Sequence, residues 1–291
     1  MEGKHLYHEY TQEELRSYCR KSIETLEIWA RNLIHEKMVA EYGADYIGLK
    51  TSNNEPLVKK EICNHIKSMI DKEPERFKRP VDTLFLDHIV YFLCNHKWYK
   101  KLFKDALDYI YPQGKDEARE FLNRLVPIRN PLSHSNPISI RQVEQAICYS
   151  HDFVEGLKKY YKDKGEEQVW NVPRIVKVKD SLGNVFDNPT DGITGSIFVI
   201  KEPFYCGDKY SVEIEVDPSF SKDEYDIIWT NYSRNRQTAF KNSFKYDITF
   251  GAKDIAQLHI IEATIIQKKE WHKYTYHDCK ICLHLTVLPL E

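Results

Sequence analysis

Glycine is scarce, at 11 of 291 residues, and none of it forms a phosphate-cradling loop, a G-x-S-x-G elbow or a dinucleotide fingerprint. That argues against nucleotide-driven work by this chain alone. Net charge is lacking too: 42 Lys and Arg against 44 Asp and Glu leave a formal −2. A polyanion must therefore be met by a local surface rather than by a global field. No run approaches the roughly 18–20 uninterrupted apolar residues of a membrane span, and the opening MEGKHLYHEYTQEEL has no apolar signal-peptide core. The expectation is a cytoplasmic protein without membrane contact. Seven cysteines, an odd number spread along the chain, fit reduced thiols better than a disulfide framework.

Metal ligands are also short. Cys279-x-x-Cys282 has the spacing of half a zinc site, with His277 and His284 nearby. A structural zinc needs four ligands, however, and in a strand positions i and i+3 point to opposite faces. His35-Glu36 begins like the zinc-protease signature, but position 39 is Val where the second histidine would stand. Neither a metal nor a cofactor is expected.

What the chain does contain is two textures. From Tyr10 to Tyr161 apolar residues recur at helical spacing. Thr11 and Glu14 have capping-box form, and Leu15, Cys19, Ile23, Leu26, Ala30, Leu33 and Ile34 share one face of a helix predicted to run to Tyr42 and stop near Gly43. Further helices are predicted over 55–71, 82–95, 97–111 and 115–128. A last one follows a second capping box, Ser139 with Gln142, and runs to about Tyr161. After the charged run 158–168, five segments rich in β-branched and aromatic residues read as strands: Tyr210–Val216, Asp226–Asn231, Phe244–Phe250, Leu258–Gln267 and Lys280–Leu288. The predicted architecture is α+β in two domains, an all-α bundle over 1–165 and an all-β sandwich over 166–291.

Trp229, within DIIWTN, resembles the core tryptophan of immunoglobulin-like sandwiches, without an accompanying disulfide pair. The loop YSRNRQ places Arg234 and Arg236 beside Tyr232, a pattern suited either to RNA or partner contact or to a solvated hairpin tip. His88, Cys94 and His96 read as packing residues of one helical stretch, and Trp29 and Trp98 as core or interface anchors.

The segment IRNPLSHSNP, 128–137, lies between the last two helices. Asn130 precedes a proline, which disfavours helical dihedrals and predicts a helix end at about Arg129. Arg129 offers a planar, permanently charged fork that matches phosphate oxygens, and His134 titrates near neutrality. Together they suit RNA cleavage, where the 2′-hydroxyl is the nucleophile and no metal is needed. One histidine does half the proton work, and a symmetric dimer would bring a second His134.

Arg129-Asn130-x-x-x-His134 matches the R-x4-H motif of the HEPN superfamily, and the surrounding helical pattern over about 10–162 resembles its helical domain. The resemblance implies a dimerising bundle that cuts RNA without metal and leaves a 2′,3′-cyclic phosphate. Arg129 would stabilise the scissile phosphate, His134 would act as acid or base, and Asn130 would orient the site. Many prokaryotic members are toxins or antiphage effectors. A protein partner or antitoxin would dock at the sandwich. The alternative is a non-catalytic dimerisation module whose sandwich binds a protein or phage component.

Overall fold

A computed structural model describes residues 10–51, 53–74, 76–77, 79–133, 137–189, 194–233 and 236–290, the side chains of 131, 133, 233 and 236–241 excepted. His134 and Arg234 lie outside the described residues. The chain forms two compact units. One comprises the described residues up to Lys72 together with Arg79–Gly165, the other those of Glu73–Lys78 together with Glu166 onward. The short segment after Lys72 departs from the expected boundary because Arg76 pairs with Glu73 and with Asp187 of the second unit.

In the helical unit, α1 (Gln12–Tyr42) opens on the Thr11–Glu14 capping box and closes at Gly43, whose φ of 83° favours glycine. Its buried face carries Leu15, Cys19, Ile23, Leu26, Trp29, Ala30, Leu33 and Ile34. Then follow α2 (Lys60–Lys72), α3 (Leu86–Leu93), a π-helical turn at Tyr99–Phe103 leading into α4 (Lys104–Leu107), α5 (Lys115–Ser133) and α6 (Ile140–Asp163). The middle helices are shorter than their apolar patterns predict. Pro80 opens a separate 3-10 turn at Pro80–Thr83, and Asn95 breaks the ladder by accepting from the amides of both Trp98 and Tyr99. Trp29 and Trp98 are core residues, Trp98 stacking on Phe92 at 5.2 Å.

Ser139 caps α6 by accepting from the Gln142 amide at 3.3 Å, and Gln142 Oε1 returns a bond to the Ser139 amide at 2.9 Å. Ser139→Ala is expected to cost about 0.5–2 kcal/mol in a urea titration, the usual loss for a cap of this type.

The predicted end of α5 at Arg129 is corrected: the helix continues through Asn130 and Pro131 to Ser133. Pro127 and Pro131 each lack an amide, and an interior proline costs about 3 kcal/mol. Ile128 and Leu132 lie beyond Pro127 and are almost wholly buried, and each contributes about 1.5–3 kcal/mol on burial. Arg20 Nη2 also donates to the Leu132 carbonyl at 3.2 Å. Packing downstream thus offsets the local preference against helix.

In the second unit a short α7 (Glu167–Trp170) precedes two sheets. The four-stranded sheet has the order β2 (Val185–Asp187), β1 (Ile175–Asp180), β5 (Lys209–Val216), β8 (Lys245–Thr249), all antiparallel. The six-stranded sheet runs β3 (Ser196–Val199), β10 (Cys279–Leu288), β9 (Ala256–Gln267), β6 (Tyr225–Ser233), β7 (Arg236–Lys241), and β4 (Phe204–Tyr205) also pairs with β10. Alternation sorts the faces: Tyr210, Val212, Ile214 and Val216 of β5 are buried, as are Ile281, Leu283, Leu285 and Val287 of β10. Rings of the two sheets meet, Trp229 stacking on Tyr246 at 5.4 Å and Phe186 on Phe198 at 4.1 Å.

Four of the five predicted strands lie inside observed ones and the fifth, Phe244–Phe250, overruns β8 by one residue at each end, while β1, β2, β3, β4 and β7 escaped the pattern. Most of these are short, and Arg236–Lys241 is too polar to signal a strand on its own.

Candidate functional site

Arg129 does not project from a helix end. On α5 the residues Ala118, Leu122, Leu125, Ile128 and Leu132 are buried, and at helical periodicity Arg129 falls within the same stripe. A cation at a core-facing position requires a counter-charge, and α1 supplies it. Glu27 is itself buried, with Oε1 3.5 Å from Arg129 Nε and Oε2 2.6 Å from Arg31 Nη2. Arg31 also donates from Nε to the Leu84 carbonyl at 3.1 Å. The Arg129 guanidinium lies over the Phe85 ring, its central carbon 5.1 Å from the centroid, and 29% of the Arg129 side chain stays exposed. Asn130, one residue on, is exposed.

Phe85 is 38% exposed and has two imidazoles against it. His65 of α2 lies 4.5 Å from the Phe85 centroid, His88 of α3 lies 5.6 Å from it, and the two imidazoles are 4.8 Å apart. His65 Nε2 bonds the Thr83 carbonyl at 2.8 Å, and the Phe85 amide donates to His88 Nδ1 at 3.3 Å. Burial pushes the His88 pKa down; Asp87 opposes this and His65 reinforces it. His35, on α1, is likewise pushed down by burial and by Arg79, against Asp82.

Because folded pKa values below 6.5 mean that the unfolded chain binds protons first, both histidines withdraw stability as pH falls below that value. The urea midpoint of the helical unit is expected to be level above pH 7 and to drop between pH 6.5 and 5, and more shallowly in His88→Gln.

Asp87 and Tyr91 of α3 and Cys94 at its C-terminal cap also line a cleft of about 780 Å³, with Lys59, Lys97 and Arg119 among its walls. Lys59 Nζ lies 4.9 Å from the Tyr91 centroid.

Of the residues singled out from sequence, Arg129 and Asn130 are thus placed on α5, and His134 lies outside the described residues. Glu27, Phe85 and His65 were missed. Their only sequence signal is Glu27 four residues before Arg31, which reads as an ordinary helix pair. Cys279 Sγ accepts from the Ile175 amide at 3.3 Å, whereas Cys282 Sγ faces Glu262 at 3.6 Å, so the two thiols serve opposite faces of β10. Among the described residues no group of three or more His, Cys, Asp or Glu is arranged to hold a metal, and no helix is long and apolar enough to cross a membrane. Trp229 is buried and donates from Nε1 to the Ser243 carbonyl at 2.7 Å. The chain matches no family model and no curated protein.

Proposed function

We propose that the helical unit is a metal-independent endoribonuclease of HEPN type, acting in the cytoplasm as a homodimer, and that the second unit is a β-sandwich that recognises a target or partner. The observation that carries the catalytic reading is Arg129 itself. An arginine on a core-facing stripe, held between a buried carboxylate and an aromatic ring yet partly exposed, is pre-oriented for a phosphate approaching from solvent. His134 follows five residues later in the sequence and supplies a proton-transfer group. Cleavage forms the bond from the 2′-oxygen to phosphorus and breaks the bond to the 5′-oxygen. One proton leaves the 2′-hydroxyl for a base, and another reaches the 5′-oxygen from an acid.

The sandwich reading is supported by the ring contacts between the two sheets. Its connection between β9 and β10 is suited to recognition. Buried Asp278 accepts there from the Gln267 and Lys273 amides at 2.7 and 2.8 Å, while Tyr276 is 80% exposed. A toxin or antiphage role follows from the superfamily resemblance.

The test is cleavage of single-stranded or structured RNA by the purified protein in EDTA, with products ending in a 2′,3′-cyclic phosphate, alongside growth of cells expressing wild type and His134→Ala. The competing reading makes the Glu27–Arg129 pair a structural cross-link in a non-catalytic dimerisation module. It requires equal growth of both strains and no RNA product.

A further inference from the structure

We propose that the cleft walled by Lys59, Lys97 and Arg119 is a subsite for the RNA backbone, holding the strand that flanks the phosphate on Arg129. The proposal rests on the ribonuclease reading, from which it takes its ligand, and extends it by giving the strand a second place of contact.

The cleft, of about 780 Å³, is in the size range of pockets that enclose small molecules, so a nucleotide fits. Three stretches of the helical unit contribute cations: Lys59 just before α2, Lys97 in the turn after α3, and Arg119 on α5. Neither lysine forms an ion pair among the described residues. Lys59 Nζ is held over the Tyr91 ring, and Lys97 is exposed. Arg119 is anchored along one edge, its Nη2 donating to the Cys94 carbonyl at 2.7 Å, while 45% of the side chain stays exposed. Its Nη1 lies 3.5 Å from Asp116 Oδ1, a long contact that leaves the charge accessible. Two exposed carboxylates, Glu55 and Asp87, share the walls, so the three cations outnumber them. Cations spread round a cleft rather than paired across it suit a chain of separated negative charges, which a phosphodiester backbone supplies.

Position ties the cleft to Arg129. Helix α5 runs without a break from Lys115 to Ser133, which sets Arg119 about 15 Å along the axis from Arg129 and roughly a quarter turn around it. On the other wall Asp87 lies in the cleft, two residues after Phe85, the ring under the Arg129 guanidinium. A strand with one phosphate on Arg129 thus reaches the cleft through its neighbouring nucleotides. An acidic peptide would meet the same cations without that tie.

The test is binding of a fluorescein-labelled twelve-residue 2′-O-methyl oligouridylate, which lacks the nucleophile and stays intact, to the full chain over a range of salt. In the double variant Lys59→Gln, Lys97→Gln the slope of log affinity against log salt is expected to shrink by about 1.4, each phosphate contact on a single strand contributing about 0.7. The lines then meet near 1 M, and at 0.1 M salt Kd rises about 25-fold. A control, Lys21→Gln with Lys162→Gln, removes the same charge from exposed positions outside the cleft and is expected to keep the wild-type slope. An unchanged slope in the cleft variant, an equal fall in the control, or stronger competition by polyglutamate than by unlabelled RNA overturns the proposal. If wild type still cleaves RNA and Arg129→Ala does not, the ribonuclease reading survives that failure. Lysine-dependent binding with no cleavage by wild type supports the cleft and overturns the ribonuclease reading alone.

Discussion

Replacing His134 with alanine is expected to lower RNA cleavage by about 10²–10⁴-fold, the effect of removing one positioned proton-transfer group. Far-UV circular dichroism and the urea midpoint are the controls that separate lost chemistry from lost folding. Arg129→Ala is expected to fall at least as far, because charge on the phosphoryl oxygens then develops without its fork of donors. Arg129→Lys does not rescue: an ammonium is a point charge on a flexible stem and neither spans two phosphate oxygens nor keeps its plane over Phe85. Full activity in His134→Ala would sink the ribonuclease reading. Full activity in Arg129→Lys would show that charge alone suffices and that the orientation imposed by Glu27 and Phe85 is irrelevant.

The second large effect concerns stability. Glu27→Ala is expected to cost about 3–5 kcal/mol, the range for removing one partner of a buried ion pair. Two guanidinium groups depend on this carboxylate, and the Arg31 side chain is only 13% exposed. Adding Arg31→Leu is expected to recover part of the loss, since the uncompensated charge is then gone. The measurement is a double-mutant cycle in urea. A cost below about 1 kcal/mol, the level of an exposed pair, would show that water and the Leu84 carbonyl already satisfy the arginines.

The two halves and most of their elements were legible because their signals are local. Thr11 with Glu14 and Ser139 with Gln142 announce helix starts through bonds three residues long, and β5 and β10 announce their buried faces by alternation. The candidate site was legible only as a motif. Arg129 and Asn130 stood out by residue type and spacing, while Glu27, Phe85 and His65 come from three other parts of the chain. His88 was visible as a helical histidine, yet nothing near it in sequence reveals that a backbone amide fixes its ring.

By itself, then, the sequence determined the two capped helix starts and which strands alternate, because caps and periodicity act over a few residues. Only the tertiary structure decided that α5 passes through Pro131, that Arg129 faces inward against Glu27, and that Phe85 lies under its guanidinium. The local rule against helix before proline is worth a few kcal/mol, and burial of Ile128 and Leu132 against the rest of the bundle is of the same size. A balance that close is settled by what the helix packs against.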